Sequence, residues 1–224
     1  MKVNPLIVAL DVQDAKKAIS IVKNLNDYVD VFKIGPVLFT KYGPDIIKKV
    51  QDYGKKIFLD FKLYDIPNTV ASTVKAIIDL NIFMFTVHIA GGMEMLKAAV
   101  NELKDKDKNK KPKILGVTVL TSVAGISNNE ILQKVEIAKE SGIDGVISSP
   151  LEVINIRSVV SKDFIIVTPG IRPAGTESGD QKRVATPKKA IQNGADFIVI
   201  GRPIIESADP VNVVKNVLAD ISSL

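Results

Sequence analysis

The run Asp60-Phe61-Lys62-Leu63-Tyr64-Asp65 sets a lysine between two carboxylates, and Lys33 lies upstream in a separate apolar segment. Neighbouring cations and carboxylates are costly to desolvate unless each is paired, and perturbed charge clusters concentrate at functional sites. A salt-bridge network that only ties segments together is the plain alternative. Few other reagents are on offer. No cysteine occurs among the 224 residues, which excludes disulfides, thiolate nucleophiles and Cys-ligated zinc or iron–sulfur clusters. His88 is the one histidine, so a Ser-His-Asp triad would have to use it, and no His-rich metal ligand set can form. Chemistry in this chain must come mainly from Lys, Arg, Asp, Glu and hydroxyls.

These residues sit on a repeating pattern. Short apolar or β-branched runs recur eight times, at Leu6–Leu10, Val29–Ile34, Lys56–Lys62, Phe83–Ile89, Lys113–Leu120, Gly145–Ser148, Phe164–Thr168 and Phe197–Gly201, each followed by a helical pattern. Asp14 is a cap for the stripe Ala15, Ala18, Ile19, Val22 and Leu25. Ser127 with Glu130 reads as a capping box, and Asp209-Pro210 supplies a cap and a first-turn proline. Strict strand–helix alternation implies parallel strands joined by right-handed crossovers. We expect residues 1–224 to form a single α/β domain, a (β/α)8 TIM barrel. The alternative, an open doubly wound sheet, often carries a GxGxxG turn, which is absent. In the barrel, function gathers at the C-terminal ends of the strands. The polar residues expected there are Asp11, Lys33, Asp60, Lys62, Asp65, His88, Thr121 and Arg202. Strand alternation turns Asp60 and Lys62 to one side and Phe61 to the other.

Only four arginines occur, and Arg172, Arg183 and Arg202 all fall in the last two strand–helix connections. The guanidinium fork suits phosphate, and barrel phosphate sites commonly form after strands seven and eight. The N–H groups of Gly201 and Arg202, at a strand–helix junction, add donors for an anion. A tight turn without a ligand is the plain reading of Gly201. The long segment Pro169–Thr186, with Pro173, Gly175 and Gly179, has the composition of a closing lid. Of the net charge of +5, Lys104–Lys113 supplies +4, six lysines against Asp105 and Asp107. Such a run is usually a solvated connection, and it lacks interleaved aromatics for nucleic-acid stacking. We therefore expect no nucleic-acid partner. No apolar run approaches the roughly 18 residues of a membrane span, so we expect no membrane partner and a cytoplasmic location.

The motif Asp60-x-Lys62-x-x-Asp65-Ile66-Pro67-Asn68-Thr69, with Lys33 upstream, resembles the signature of orotidine 5'-monophosphate decarboxylases. Leu10-Asp11, Leu120-Thr121-Ser122, Thr168-Pro169-Gly170-Ile171-Arg172-Pro173, Gly179-Asp180-Gln181-Lys182-Arg183 and Ile200-Gly201-Arg202-Pro203 resemble the bacterial branch, in order along the whole chain. The resemblance implies loss of CO2 from orotidine 5'-monophosphate to give UMP, without metal or organic cofactor. It implies that Lys62 stabilises and protonates the carbanion at C6 within an array of Lys33, Asp60, Lys62 and Asp65. Asp11 and Lys33 would contact the ribose, Thr121 and Ser122 the pyrimidine edge, and Arg172, Gln181, Gly201 and Arg202 the phosphate, with Pro169 beside them. It also implies a homodimer in which Asp65 and Thr69 reach into the partner's site. By contrast, His88 reads as a hydrogen-bonded strand-end residue.

Two rivals remain. A sister barrel family shares Asp-x-Lys-x-x-Asp but acts on sugar phosphates with Mg2+ held by an acidic residue at the second strand's end. Here that place is Lys33, a poor metal ligand. The other rival is a non-catalytic phosphate-, nucleotide- or polyanion-binding module, which needs no pairing of Lys62 with Asp65.

Overall fold

A computed structural model describes residues 3–107, 111–120, 123, 125–173 and 185–223. Eight parallel strands close into a barrel in chain order: β1 (Leu6–Ala9), β2 (Val31–Ile34), β3 (Lys56–Leu63), β4 (Met84–His88), β5 (Lys113–Val117), β6 (Gly145–Ile147), β7 (Ile165–Thr168) and β8 (Phe197–Ile200), with β8 pairing back onto β1. The helices are α1 (Ala15–Asn24), α2 (Pro36–Tyr42), α3 (Pro44–Gln51), α4 (Pro67–Ile78), α5 (Gly92–Asn101), α6 (Asn128–Ser141), α7 (Val153–Arg157), α8 (Pro187–Gln192), α9 (Arg202–Ile205) and α10 (Pro210–Ser222). No helix among the described residues is long and apolar enough to cross a membrane.

Alternation along the strands splits the core in two. Ile7, Val31, Phe58, Met84, Leu115, Ile147, Val167 and Val199 fill the barrel interior. Their strand neighbours, among them Val8, Phe32, Leu59, Phe85, Val146, Ile166 and Ile198, pack outward with the helices. The expected caps form. Asp14 accepts the Lys16 N–H, Ser127 and Glu130 make a reciprocal capping box, and Asp209 accepts the Asn212 N–H.

Several expected strand boundaries are too generous. Val29 belongs to the turn that ends α1, its N–H donating to the Leu25 carbonyl, so β2 starts at Val31. The fifth strand stops at Val117, three residues short of Leu120, because β6 ends at Ile147 and gives Val119 and Leu120 no ladder partner. Ile89 leaves β4 for a 3-10 turn capped by His88.

The N-terminal rim is tied by aspartates placed just before β2, β6 and β8. Asp30 accepts the Asn4 N–H at 2.9 Å, Asp144 the Ile114 N–H at 2.9 Å and Asp196 the Ile166 N–H at 2.7 Å. Two of these carboxylates also hold a cation, Lys113 on Asp144 at 2.8 Å and Arg157 on Asp196 at 2.6 Å. Each bond joins a strand's entrance to the strand before it.

Candidate active site

At the opposite, C-terminal rim the charges meet each other. Lys33, at the inward position near the end of β2, donates to Asp11 at 2.9 Å and lies 3.5 Å from Asp60. The other oxygen of Asp60 accepts from the Lys62 ammonium at 2.8 Å. The sequence Asp11–Lys33–Asp60–Lys62 thus alternates in sign and sums to zero. Burial alone would raise the Asp60 pKa, but the charges of Lys33 and Lys62 and hydrogen bonds from Lys62 and Thr86 hold it below the ordinary carboxylate value. Burial likewise would lower the Lys33 pKa, and Asp60 and Asp11 raise it instead. Both groups therefore stay ionised through the neutral range.

Asp60 and Lys62 converge, though not along a regular strand. Against β4, Leu59 pairs with Phe85 and Leu63 with Val87, so the register slips between them. Lys62 takes up the slip with φ +54°, a left-handed conformation that costs a non-glycine residue about 1–3 kcal/mol. Simple alternation reached the right pairing without this kink.

Above the barrel core lies a cavity of about 280 Å3. Lys33, Asp60 and Lys62 form its charged wall; Phe58, Val117, Ile147 and Val199 its apolar floor; Val119, Leu120 and Pro169 also line it. Among the described residues the Lys62 ammonium has one hydrogen-bond partner, leaving donors for a ligand. Gly201 adjoins the β1 end, where a Cβ would come within 3.6 Å of an Asp11 oxygen, and Arg202 opens α9 from there. Arg172 is buried beyond β7, where its backbone N–H donates to the Ala185 carbonyl and its guanidinium to the Ile171 carbonyl.

Asp65 and Thr69 stand apart from this array. Both are exposed, Asp65 accepts the Ile66 N–H at 2.7 Å, and no ion pair among the described residues joins it to Lys62. Tyr64 and Ile66, on either side of Asp65, are 65% and 66% exposed, an unusual display of apolar surface beside charged groups. His88 accepts the Ala90 N–H and stacks on Tyr64 with ring centroids 5.8 Å apart. Burial, then the charges of Lys134 and Lys62, push its pKa down, which favours neutral imidazole. Thr121, Ser122, Gln181 and Arg183 lie outside the described residues, as does most of the expected lid.

Residues 4–217 match the family described as "Orotidine 5'-phosphate decarboxylase / HUMPS family". The chain belongs to that family. It is 44% identical to an orotidine 5'-phosphate decarboxylase of Syntrophomonas wolfei, over 96% of this chain and 97% of that one. It is 48% identical to one of Carboxydothermus hydrogenoformans, over 91% and 90%. The crystal structure of orotidine 5'-phosphate decarboxylase from Lactobacillus acidophilus superposes with a TM-score of 0.83 at 38% identity, covering 97% of this chain and 98% of the other.

Within this family frame, one residue of the charged rim escaped the reading of the sequence. Thr86 is wholly buried on β4, accepts the Lys62 backbone N–H at 2.8 Å and donates to Asp60 at 3.1 Å. The available signal was a lone hydroxyl at an inward position, two residues after Met84 and two before His88.

Proposed function

We propose that this chain decarboxylates orotidine 5'-monophosphate to UMP and CO2, closing de novo UMP synthesis, with Lys62 as the electrostatic and proton-donating group. The observation that carries this reading is the Lys62 ammonium, gripped by Asp60 at 2.8 Å on the wall of the cavity at the barrel mouth. Breaking the C6–carboxylate bond releases CO2 and leaves an electron pair in the plane of the pyrimidine, where the π system cannot take it up. An ammonium about 4 Å away stabilises that pair by about 4 kcal/mol at an effective dielectric of about 20. A proton then passes from Lys62 to C6, giving UMP, and the neutral amine recovers a proton from solvent. Asp60 keeps the ammonium aimed; Lys33 keeps Asp60 ionised.

Asp11 and Lys33 meet the ribose hydroxyls, Thr121 and Ser122 read the pyrimidine edge, and Arg172, Gln181 and Arg202 hold the phosphate beside Pro169 and Gly201. Phosphate and ribose contacts supply binding energy that is used at the reacting carbon. No step needs a metal or organic cofactor. Lys33 at the end of β2 also separates this reading from the Mg2+-dependent sugar-phosphate branch, because a cation there repels a metal. The whole chain acts as one catalytic barrel and, as an enzyme of nucleotide synthesis, in the cytoplasm. Purified protein in excess EDTA should consume orotidine 5'-monophosphate, seen as loss of its ultraviolet absorbance, and leave hexulose phosphates untouched. Activity abolished by EDTA and restored by Mg2+ would reverse the choice of branch.

The active unit in this reading is a homodimer, with Asp65 and Thr69 completing the partner's site. The separation of Asp65 from Lys62 within one chain and the exposed Tyr64 and Ile66 around it support the arrangement. Lys62→Ala and Asp65→Ala proteins, each nearly inactive, should regain about a quarter of wild-type activity when their subunits exchange. Random pairing makes half the dimers mixed, with one of two sites intact in each. No recovery after exchange verified with mass-tagged chains would refute sharing and leave the decarboxylase reading intact.

A further inference from the structure

Three hydrogen bonds close a ring around Lys62. Its backbone N–H donates to the Thr86 hydroxyl at 2.8 Å, that hydroxyl donates to the Asp60 carboxylate at 3.1 Å, and the same oxygen, Oδ1, accepts the Lys62 ammonium at 2.8 Å. A threonine hydroxyl has one proton to give. Because Asp60 is its acceptor, the Thr86 lone pairs are turned toward the Lys62 N–H.

The setting makes this ring more than incidental. Thr86 is wholly buried, at an inward position of a strand whose preceding inward residue is Met84. Valine has nearly the same shape and would satisfy packing there without a polar group to pair. A buried hydroxyl is tolerated when its bonds are made, and here one is made to the Lys62 backbone and the other to the carboxylate that holds the Lys62 ammonium. The bond to the backbone N–H also falls where β3 slips against β4 and Lys62 adopts φ +54°. A strained conformation persists only when its surroundings over-determine it. Loss of the hydroxyl would free the backbone of Lys62 to relax and deprive Asp60 of a donor together.

We propose that Thr86 is a positioning residue for this reaction, holding the Lys62 backbone in its kinked conformation and the Asp60 carboxylate in register so that the ammonium meets the reacting carbon. The inference rests on Lys62 being the proton donor. Thr86 touches no substrate; it acts through Lys62 and Asp60.

The test compares Thr86→Val, Thr86→Ser and Lys62→Ala enzymes by kcat, KM and UMP affinity, with kcat expressed per UMP-binding site so that misfolded protein does not count. Thr86→Val should lower kcat by about ten- to hundredfold, the scale of hydrogen bonds to charged groups, with KM and UMP affinity within about threefold. Thr86→Ser, which keeps the hydroxyl and gives up a methyl, should recover kcat to within about threefold of wild type. Should the valine variant not fold, Thr86→Cys, of similar volume and a weak hydrogen-bonder, carries the expectation of about a tenfold loss. Unchanged kcat in the valine or cysteine variant would overturn the proposal, as would an equal loss in the serine variant, which would assign the effect to volume. An active Lys62→Ala enzyme would instead refute the proton-donor reading beneath it.

Discussion

The two rims of the barrel use aspartate in opposite ways. At the N-terminal rim Asp30, Asp144 and Asp196 each accept a backbone N–H of the preceding strand's segment, and the latter two also hold Lys113 and Arg157. These charges are spent on joining strands. At the C-terminal rim Asp60 accepts from Lys62 and the buried Thr86 and lies beside Lys33, and Asp60, Lys62 and Lys33 all line the cavity rather than bracing a strand entrance. Size does not separate the ends: one cavity near the N-terminal rim is about 820 Å3, larger than that at the C-terminal rim, and its lining carboxylate, Asp196, is already taken by Arg157 and a backbone N–H. What marks the functional end is charge aimed into space, with donors still free to meet a ligand.

The same substitution made at each rim should therefore divide activity from stability. Asp60→Asn should lower kcat by about a hundredfold or more, because it removes the charge between two lysines where preorganised electrostatics act. Asp196→Asn should leave kcat within about twofold and lower unfolding stability by about 1–3 kcal/mol, the cost of weakening a charged hydrogen-bond pair. Chemical denaturation with steady-state assays on both variants checks the division; equal effects on activity would erase the distinction between the rims.

A smaller effect concerns pH. Asp60 titrates below its ordinary value, so its contribution to stability is complete above that value, about pH 4, and is lost as pH falls through the lowered pKa. Lys33 titrates above its ordinary value, so its contribution is complete below about pH 10 and is lost as pH rises through the raised pKa. The array should hold unchanged between those limits. Removing the Lys62 charge should move the Asp60 titration upward, visible as an acid-side loss of stability that begins at higher pH.

Much of this was legible in the residues because burial leaves a period. The eight strands were found from apolar runs, and α1, α6 and α10 from caps whose hydrogen bonds form as expected. Lys33, Asp60 and Lys62 stood out because charges near strand ends of such a barrel have few other reasons to be there. Tertiary pairing decided the rest. The slip of β3 against β4 that puts Lys62 at φ +54° depends on a neighbouring strand 24 residues away through Thr86, and no local pattern announces it. The short β6, which ends β5 early, is equally a property of the neighbour. Spacing puts Asp65 in the turn after β3 and the family resemblance counts it in the array with Lys62; within one chain that turn carries it to the surface.

The central claim is that the Lys62 charge at the C-terminal rim serves chemistry rather than cohesion. Steady-state decarboxylation of orotidine 5'-monophosphate by Lys62→Ala, with UMP affinity measured on the same preparation, tests it most directly. The account predicts a kcat lower by about a thousandfold or more, the equivalent of the roughly 4 kcal/mol assigned to the ammonium, with UMP affinity changed by only a modest factor. A variant that keeps a tenth or more of wild-type kcat, a loss of about 1.4 kcal/mol or less, would contradict it.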